Sequence, residues 1–282
     1  MNASPFAFVR RLYAASKLAA LGLFLCLGWL VVALAAPLIA THDPLEQSIT
    51  ERYHPPSKDH WFGTDRLGRD IFSRVVYGSR SSLTAGVAVV GTALLIGGAV
   101  GAIAGFAGGR IDETLMRLAD MVMGFPSLIL AMAIAAMLGP SLQNAVVAIV
   151  AAWWPRYARM TRAAVLAERE KEYVQASVAL GASPARVLVR SILPNALPTV
   201  LVLATLDIGF AILTFSGLSY LGLGEAPPAP EWGALVAEGI NAFHYWWLST
   251  FPGAAIFSVA IAFNFLGDGL RDLLDPQARD GR

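Results

Sequence analysis

Residues 121–155 read MVMGFPSLILAMAIAAMLGPSLQNAVVAIVAAWWP, thirty-five positions without a charged side chain. An α-helix rises about 1.5 Å per residue, so roughly 20 residues cross the ~30 Å hydrocarbon core of a bilayer. This run is too long for one crossing and too apolar for a water-facing surface. Gly139-Pro140-Ser141 supplies a turn inside it. The division gives one helix near Met121–Leu138 and another near Leu142–Met160, whose Arg156 and Arg159 snorkel to an interface. Gly124 and Pro126 allow a second reading, in which the third crossing begins later and the charged Arg110–Asp120 stretch forms a helix on the cytoplasmic side.

The same signal recurs along the chain. Leu18–Ala40 is uncharged for 23 residues; no charge falls between Arg80 and Arg110 or between Glu238 and Asp268; Asp207 alone falls between Arg190 and Glu225. With 56% hydrophobic and 15% charged residues, most of the surface faces lipid, and a net charge of +1 leaves no electrostatic footprint for nucleic acid. In lipid only structures that satisfy their own backbone are stable, so the long runs predict an all-α integral membrane protein with six transmembrane helices. The last two run from about Leu197 to Leu223 and from about Tyr245 to Gly267, the latter entered through an aromatic belt of Tyr245, Trp246 and Trp247. Gly97, Gly101 and Gly105 place a smooth ridge on the second span, which reads as helix packing.

Six crossings put both termini on one side, and basic residues choose it. The first 17 residues hold three basic and no acidic side chains, and Arg156–Arg190 holds seven basic residues against three glutamates. Both are predicted cytoplasmic. Glu225, Glu231 and Glu238 lie in the segment between the fifth and sixth spans, which has no Lys or Arg and is predicted to lie outside. Thr41–Arg80 balances six basic against six acidic residues and gives no vote. The N-terminal run admits a rival: Arg10, Arg11 and Lys17 precede it and Ala33-Leu34-Ala35 resembles a signal-peptidase site, but its length favours an uncleaved first helix. The single cysteine, Cys26, has no partner for a disulfide and lacks the small preceding residue of a lipidation site. The chain divides into 1–80, comprising the N-terminal tail, first span and an outer segment, and 81–282, a core of five spans with a cytoplasmic loop at about 161–196.

That loop carries the functional signal. Residues 168–198 read EREKEYVQASVALGASPARVLVRSILPNALP, the grammar of two short helices. The first stops at Gly181, suited to the left-handed conformation of a helix C-terminus; Ser183 caps the second, with Pro184 at its first position. The chain re-enters the membrane past Pro194 and Pro198. A compact, basic helix–turn–helix on a membrane face suits insertion into a groove on a soluble partner. It is a docking shape, with no catalytic pattern.

At these residues the sequence resembles the permeases of ATP-binding-cassette importers, whose cytoplasmic loop reads Glu-Ala-Ala, three residues, Gly, nine residues, Ile, any residue, Leu-Pro. Gln175, Ala176 and Ser177 stand for the first three, and Gly181, Leu193 and Pro194 keep their places; Gln175 departs from the acidic residue, and Ser191 from the Ile. A second stretch, His60-Trp61-Phe62-Gly63-Thr64-Asp65-Arg66-Leu67-Gly68-Arg69-Asp70, looks like the outer region of dipeptide, oligopeptide and nickel importer permeases. So do Leu218–Gly224, the Pro228 to Trp232-Gly233 turn, and Asn264–Asp272 with Asp275-Pro276. The resemblance implies a type I ABC importer permease fold in the bacterial inner membrane, and the shorter permease of a homologous pair. It implies two ATP-binding subunits, a periplasmic solute-binding protein, and an ATPase-docking surface at Glu172, Gln175, Ala176, Ser177, Gly181, Ala182, Ser183 and Pro194. It further implies peptide cargo, with nickel or another small solute as the alternative, and no cofactor on this chain, since ATP and Mg belong to the partner subunits. The sequence itself has no Gly-rich phosphate loop ending in Gly-Lys-Ser/Thr.

Asp207 is the one acidic residue inside a span and must meet a partner, water or the transport pathway. It is the candidate pathway residue, poised to attract a peptide ammonium or a cation; a helix-packing hydrogen bond is the other reading. His42, His54 and His60 show no ligand-pair spacing, are expected to be solvated, and no metal site is assigned. Asp65, Arg66, Arg69 and Asp70 read as an ion-pair network at the membrane surface. Neither His-Glu-x-x-His nor Gly-x-Ser-x-Gly occurs, so an enzyme reading has no support. A secondary carrier working without ATPase partners would more typically carry several ionisable groups at mid-membrane.

Overall fold

The computed structural model describes residues 16–274, and among these the only strand-like pairing is the single Thr64–Asp70 bridge. Arg10, Arg11 and the Asp275-Pro276 pair lie outside the described residues. The helices are α1 (Lys17–Leu34), α2 (Ile71–Ala107), α3 (Gly109–Met123), α4 (Ser127–Leu138), α5 (Leu142–Arg169), α6 (Glu172–Ala179), α7 (Pro184–Tyr220), α8 (Trp232–Ile240) and α9 (Trp247–Leu274). Their starts are written in the sequence. Side chains of Ser16, Asp70, Ser141 and Glu231 each accept a hydrogen bond from a backbone N–H three residues on, satisfying donors that a first helical turn leaves free.

Four helices, α1, α2, α7 and α9, are long and apolar enough to cross a membrane, and α3 with α4 makes a fifth if the two are joined. They are not a straight rod: the pair bends by 83°. The expected single helix over Met121–Leu138 is therefore corrected to two pieces, with the break at Gly124-Phe125-Pro126. Proline has no N–H to continue the ladder and disfavours helical geometry in the residue before it. The alternative start at Gly124 and Pro126 is the one the chain takes, with charged α3 as a separate helix. Other boundaries move as well. The helix that carries the second span begins at Ile71, nine residues ahead of Arg80, and the short second helix of the loop at 161–196 is continuous with the fifth span in α7. That helix widens to π geometry at Val187–Ile192, just ahead of Pro194, whose ring crowds and removes a donor from the preceding turn. α8 was not foreseen.

α2 and α5 form the central seam. A Cβ on Gly97 would lie 2.2 Å from the Trp154 carbonyl oxygen, one on Gly101 2.1 Å from that of Ala158, and one on Gly105 2.9 Å from that of Arg162. The glycine ridge thus lets two backbones touch, the usual means of helix association where lipid is as apolar as leucine. α1 packs on α9 in the same way: a Cβ on Gly22 would stand 2.6 Å from the Ala262 carbonyl oxygen, and the Trp29 indole N–H donates to Ser258 Oγ at 2.9 Å. Its other faces are bare, with Phe24 72% exposed, as a lipid-facing helix requires. Arg80 donates to the carbonyls of Ala33 and Leu34, placing a cation at the C-terminal end of α1.

The outer segment is built around Asp65, which is fully buried. Its Oδ1 accepts from the N–H groups of Leu67 at 2.7 Å and Arg69 at 3.0 Å, and its Oδ2 receives Arg69 Nε at 2.5 Å. Glu238 of α8 reaches the same network, 3.3 Å from Arg66 Nε and 3.4 Å from Arg69 Nη2. The cluster expected to be local therefore joins residues 65–74 to the segment before α9. The aromatic belt is corrected similarly. Trp247 is buried and donates to the Thr64 carbonyl at 3.2 Å, and Tyr245 stacks on Tyr53 at 4.0 Å, leaving Trp246 as the exposed member.

Replacing Gly101 by Ile should force α2 and α5 apart and lower the thermal stability of the purified chain in detergent, an overpacking penalty of about 1–3 kcal/mol or more. Gly91 on the same helix has no atom within 4 Å of where its Cβ would be, so Gly91→Ala should melt with the parent. Equal melting of both variants would contradict the seam.

Candidate docking face and intramembrane ion pair

Seven of the eight residues singled out for docking fall on one exposed feature. α6 carries Glu172, Gln175, Ala176 and Ser177; the turn carries Gly181, Ala182 and Ser183. Gly181 has φ +79°, the left-handed conformation that favours glycine, and nothing stands within 4 Å of where its Cβ would be. Leu180 beside it is 89% exposed, a large apolar side chain that no other described residue covers. Ser183 sits at the N-cap position before Pro184, but its side chain makes no capping bond, so the expected cap is positional only. Pro194 is not brought to the turn: it lies ten residues into α7, about 15 Å along a helix axis.

The feature is rigidly based. Val174, Val187, Ile192 and Ala196 are buried with Ala102 of α2 and Val165 of α5, so the feature rests on the inner end of the central seam. A polar clasp that the sequence reading missed holds α6 against α7. The Tyr173 hydroxyl donates to Glu168 Oε2 at 2.6 Å, and Asn195 Nδ2 donates to Tyr173 Oη at 3.1 Å and to the Ser191 carbonyl at 2.8 Å. Through that hydrogen bond first, and burial second, Glu168 holds the Tyr173 phenol above its ordinary pKa, so the hydroxyl stays a donor. Lys171 Nζ lies 2.5 Å from the other Glu168 oxygen. Gln175, which departs from the acidic residue of the loop pattern, turns back to donate to the Glu170 carbonyl at 3.1 Å. Between the feature and the spans lies a cleft of about 660 Å³, bordered by Phe106, Gln175, Val178 and Ala182.

Asp207 is 4% exposed and is not a free carboxylate. Its Oδ2 accepts from the Tyr157 hydroxyl at 2.8 Å and its Oδ1 lies 3.1 Å from Arg156 Nη1. A free attraction for an ammonium is therefore replaced by an internal pair, as the cost of an isolated charge in hydrocarbon requires. Arg156 is half exposed and borders a cleft of about 260 Å³ with Phe125, Trp153 and Phe210, at the break between α3 and α4. Sequence reasoning gave Arg156 only a snorkelling role; its position one residue before Tyr157, across from Asp207, depends on the register of α5 against α7. Further inward Arg162 grips Asp112 of α3 through two hydrogen bonds, at 2.5 and 2.6 Å, and Arg159 pairs with Asp120.

The histidines divide. His54 is exposed, but His60 is 7% exposed with its Nδ1 2.9 Å from Asp70 Oδ1, which corrects the expectation that all three are solvated.

Comparison with known proteins places this arrangement. The family described as binding-protein-dependent transport system inner membrane component matches residues 97–280, and that described as the N-terminal TM domain of oligopeptide transport permease C matches residues 4–56. A probable D,D-dipeptide transport system permease protein of Escherichia coli is 49% identical over 88% of this chain and 84% of its own length. The dipeptide transport system permease protein of Alkalihalophilus pseudofirmus is 43% identical over 94% of this chain and 87% of its own. The oligopeptide transport system permease protein of Bacillus subtilis is 42% identical over 95% and 88%. With its described spans, its helix–turn–helix on the inner seam and these matches over most of its length, the chain belongs to the family of binding-protein-dependent transport system inner membrane components.

Proposed function

We propose that this permease subunit moves di- or oligopeptides across the inner membrane, using energy from ATP hydrolysed on separate subunits that also hold the Mg. The observation that carries the coupling is the exposed turn at Leu180-Gly181, whose base is packed into the α2–α5 seam while its tip is bare. The peptide cargo rests on the relatives, each of which is named for peptide or dipeptide transport. None of these names favours nickel. A second homologous permease, two ATP-binding subunits and a solute-binding protein complete the assembly in this reading, with α5 as the sixth crossing and both termini cytoplasmic.

Closure of the ATPase pair would press on Glu172–Ser183 and, because the base of that feature is shared with α2 and α5, tilt those helices as rigid bodies. The tilt would move Arg156 and the α3–α4 break beside it, which is where Asp207 acts on the pathway: by holding Arg156 in place. A secondary carrier is less well served, since its one intramembrane acid is already paired.

Gly181→Val should leave membrane insertion intact but uncouple ATP hydrolysis from uptake, because a β-branched residue is strained at positive φ and fills the open tip. Reconstituted with its partners, the variant is expected to keep basal hydrolysis and lose at least nine-tenths of peptide uptake; normal uptake would refute the docking assignment. Asp207→Ala should destabilise the chain by about 1–3 kcal/mol, because the buried Tyr157 hydroxyl loses its acceptor while half-exposed Arg156 can turn to the cleft. The double variant Asp207→Asn, Arg156→Gln should regain most of that stability, read as the melting temperature in detergent, yet stay below a tenth of parental uptake. Full uptake by the double variant would reduce the pair to packing.

A further inference from the structure

We propose that His42, His60 and Asp70 form a divalent metal site on the outer side of the protein, with Zn²⁺ as the ion its donors fit best. The three come from separate segments: the stretch after α1, the loop over residues 54–63, and the N-cap of α2. One ligand atom from each lies within 4.8 Å of the others, and this is the one such group among the described residues. His60 Nδ1 stands 2.9 Å and His42 Nδ1 3.9 Å from Asp70 Oδ1. Ligands held about 2.0–2.2 Å from a tetrahedral zinc lie about 3.4 Å apart, so the observed distances bracket the bound geometry.

The surroundings are those of a ligand set. Asp70 uses Oδ2 to cap α2, accepting from the Ser73 N–H at 2.7 Å, which fixes the carboxylate and leaves Oδ1 turned to the histidines. The second ring nitrogen of His60 lies 3.7 Å from Glu51 Oε2, beyond hydrogen-bond length but near enough for that carboxylate to turn toward it. The two rings lie 4.7 Å apart and tilted by 31°. His42 borders a cavity of about 750 Å³, through which water can complete the coordination. Two imidazoles and a carboxylate with an open position suit Zn²⁺ over the oxygen-seeking Ca²⁺ and Mg²⁺. On binding, the His60 ring carries its proton on Nε2 and presents the Nδ1 lone pair to the ion, which ties the end of the first span to the start of the second.

The test is Zn²⁺ titration of the full-length chain in detergent, tag removed and chelator-stripped, followed by calorimetry and X-ray absorption. One equivalent is expected to bind in the micromolar range, with nitrogen and oxygen scatterers at about 2.0–2.2 Å. His42→Ala and His42→Gln, which alter an exposed side chain, should weaken binding at least tenfold, while His54→Ala and His244→Ala bind as the parent. Absence of binding below about 100 μM Zn²⁺, or unchanged affinity in both His42 variants, overturns the site.

Discussion

The contact between α2 and α5 governs the rest of the molecule. Where three glycines let the two backbones meet, the position of every group on α5 is fixed relative to α2. The register of α5 against α7 then sets Tyr157 against Asp207 and turns Arg156 toward the cleft at the α3–α4 break. At its inner end the same seam offers Ala102 and Val165 to the base of the helix–turn–helix. Helices in lipid gain little from hiding apolar surface, so close backbone approach and a few internal polar bonds must supply the specificity. In the proposed coupling, a force applied at Gly181 would reach Arg156 through packed helices and not through a flexible loop.

Two polar clusters stand at opposite ends of this seam. On the outer side buried Asp65 gathers two backbone donors and Arg69, and Glu238 ties that knot to α8. On the inner side Arg162 and Arg159 clamp α3 to α5. Between them lies the Arg156–Asp207–Tyr157 group. The outer knot unites the region before α2 with the region before α9, and the inner clamp holds an amphipathic helix across the mouth of the cleft.

The membrane class, the turn at Gly139, the glycine ridge and the turn at Gly181 were legible in the sequence because each rests on a local rule. Uncharged length, positive φ and small-residue spacing need no knowledge of the partner segment. What escaped depends on tertiary placement. The 83° break follows from Gly124 and Pro126, but a hydropathy run alone reads straight through them. Trp247 looked like an interfacial anchor because nothing local shows that Thr64, 183 residues away, takes its N–H. His60 looked solvated for the same reason. Asp207 was found as an anomaly, but its partners were not, since Arg156 and Tyr157 lie on another helix. The Tyr173 clasp left no sequence signal beyond a tyrosine near a glutamate.

In the proposed function, transport turns on the exposed loop at Leu180-Gly181 meeting an ATPase. The direct measurement is site-specific cross-linking in native membranes: Leu180→Cys in a Cys26→Ser background, with the chain expressed alongside its genomic neighbours and the adduct identified by mass spectrometry. The account predicts an adduct with a chain carrying a Gly-rich phosphate loop, absent when the cysteine is moved to lipid-facing Phe257. No such adduct, or the same adduct from both positions, would contradict it.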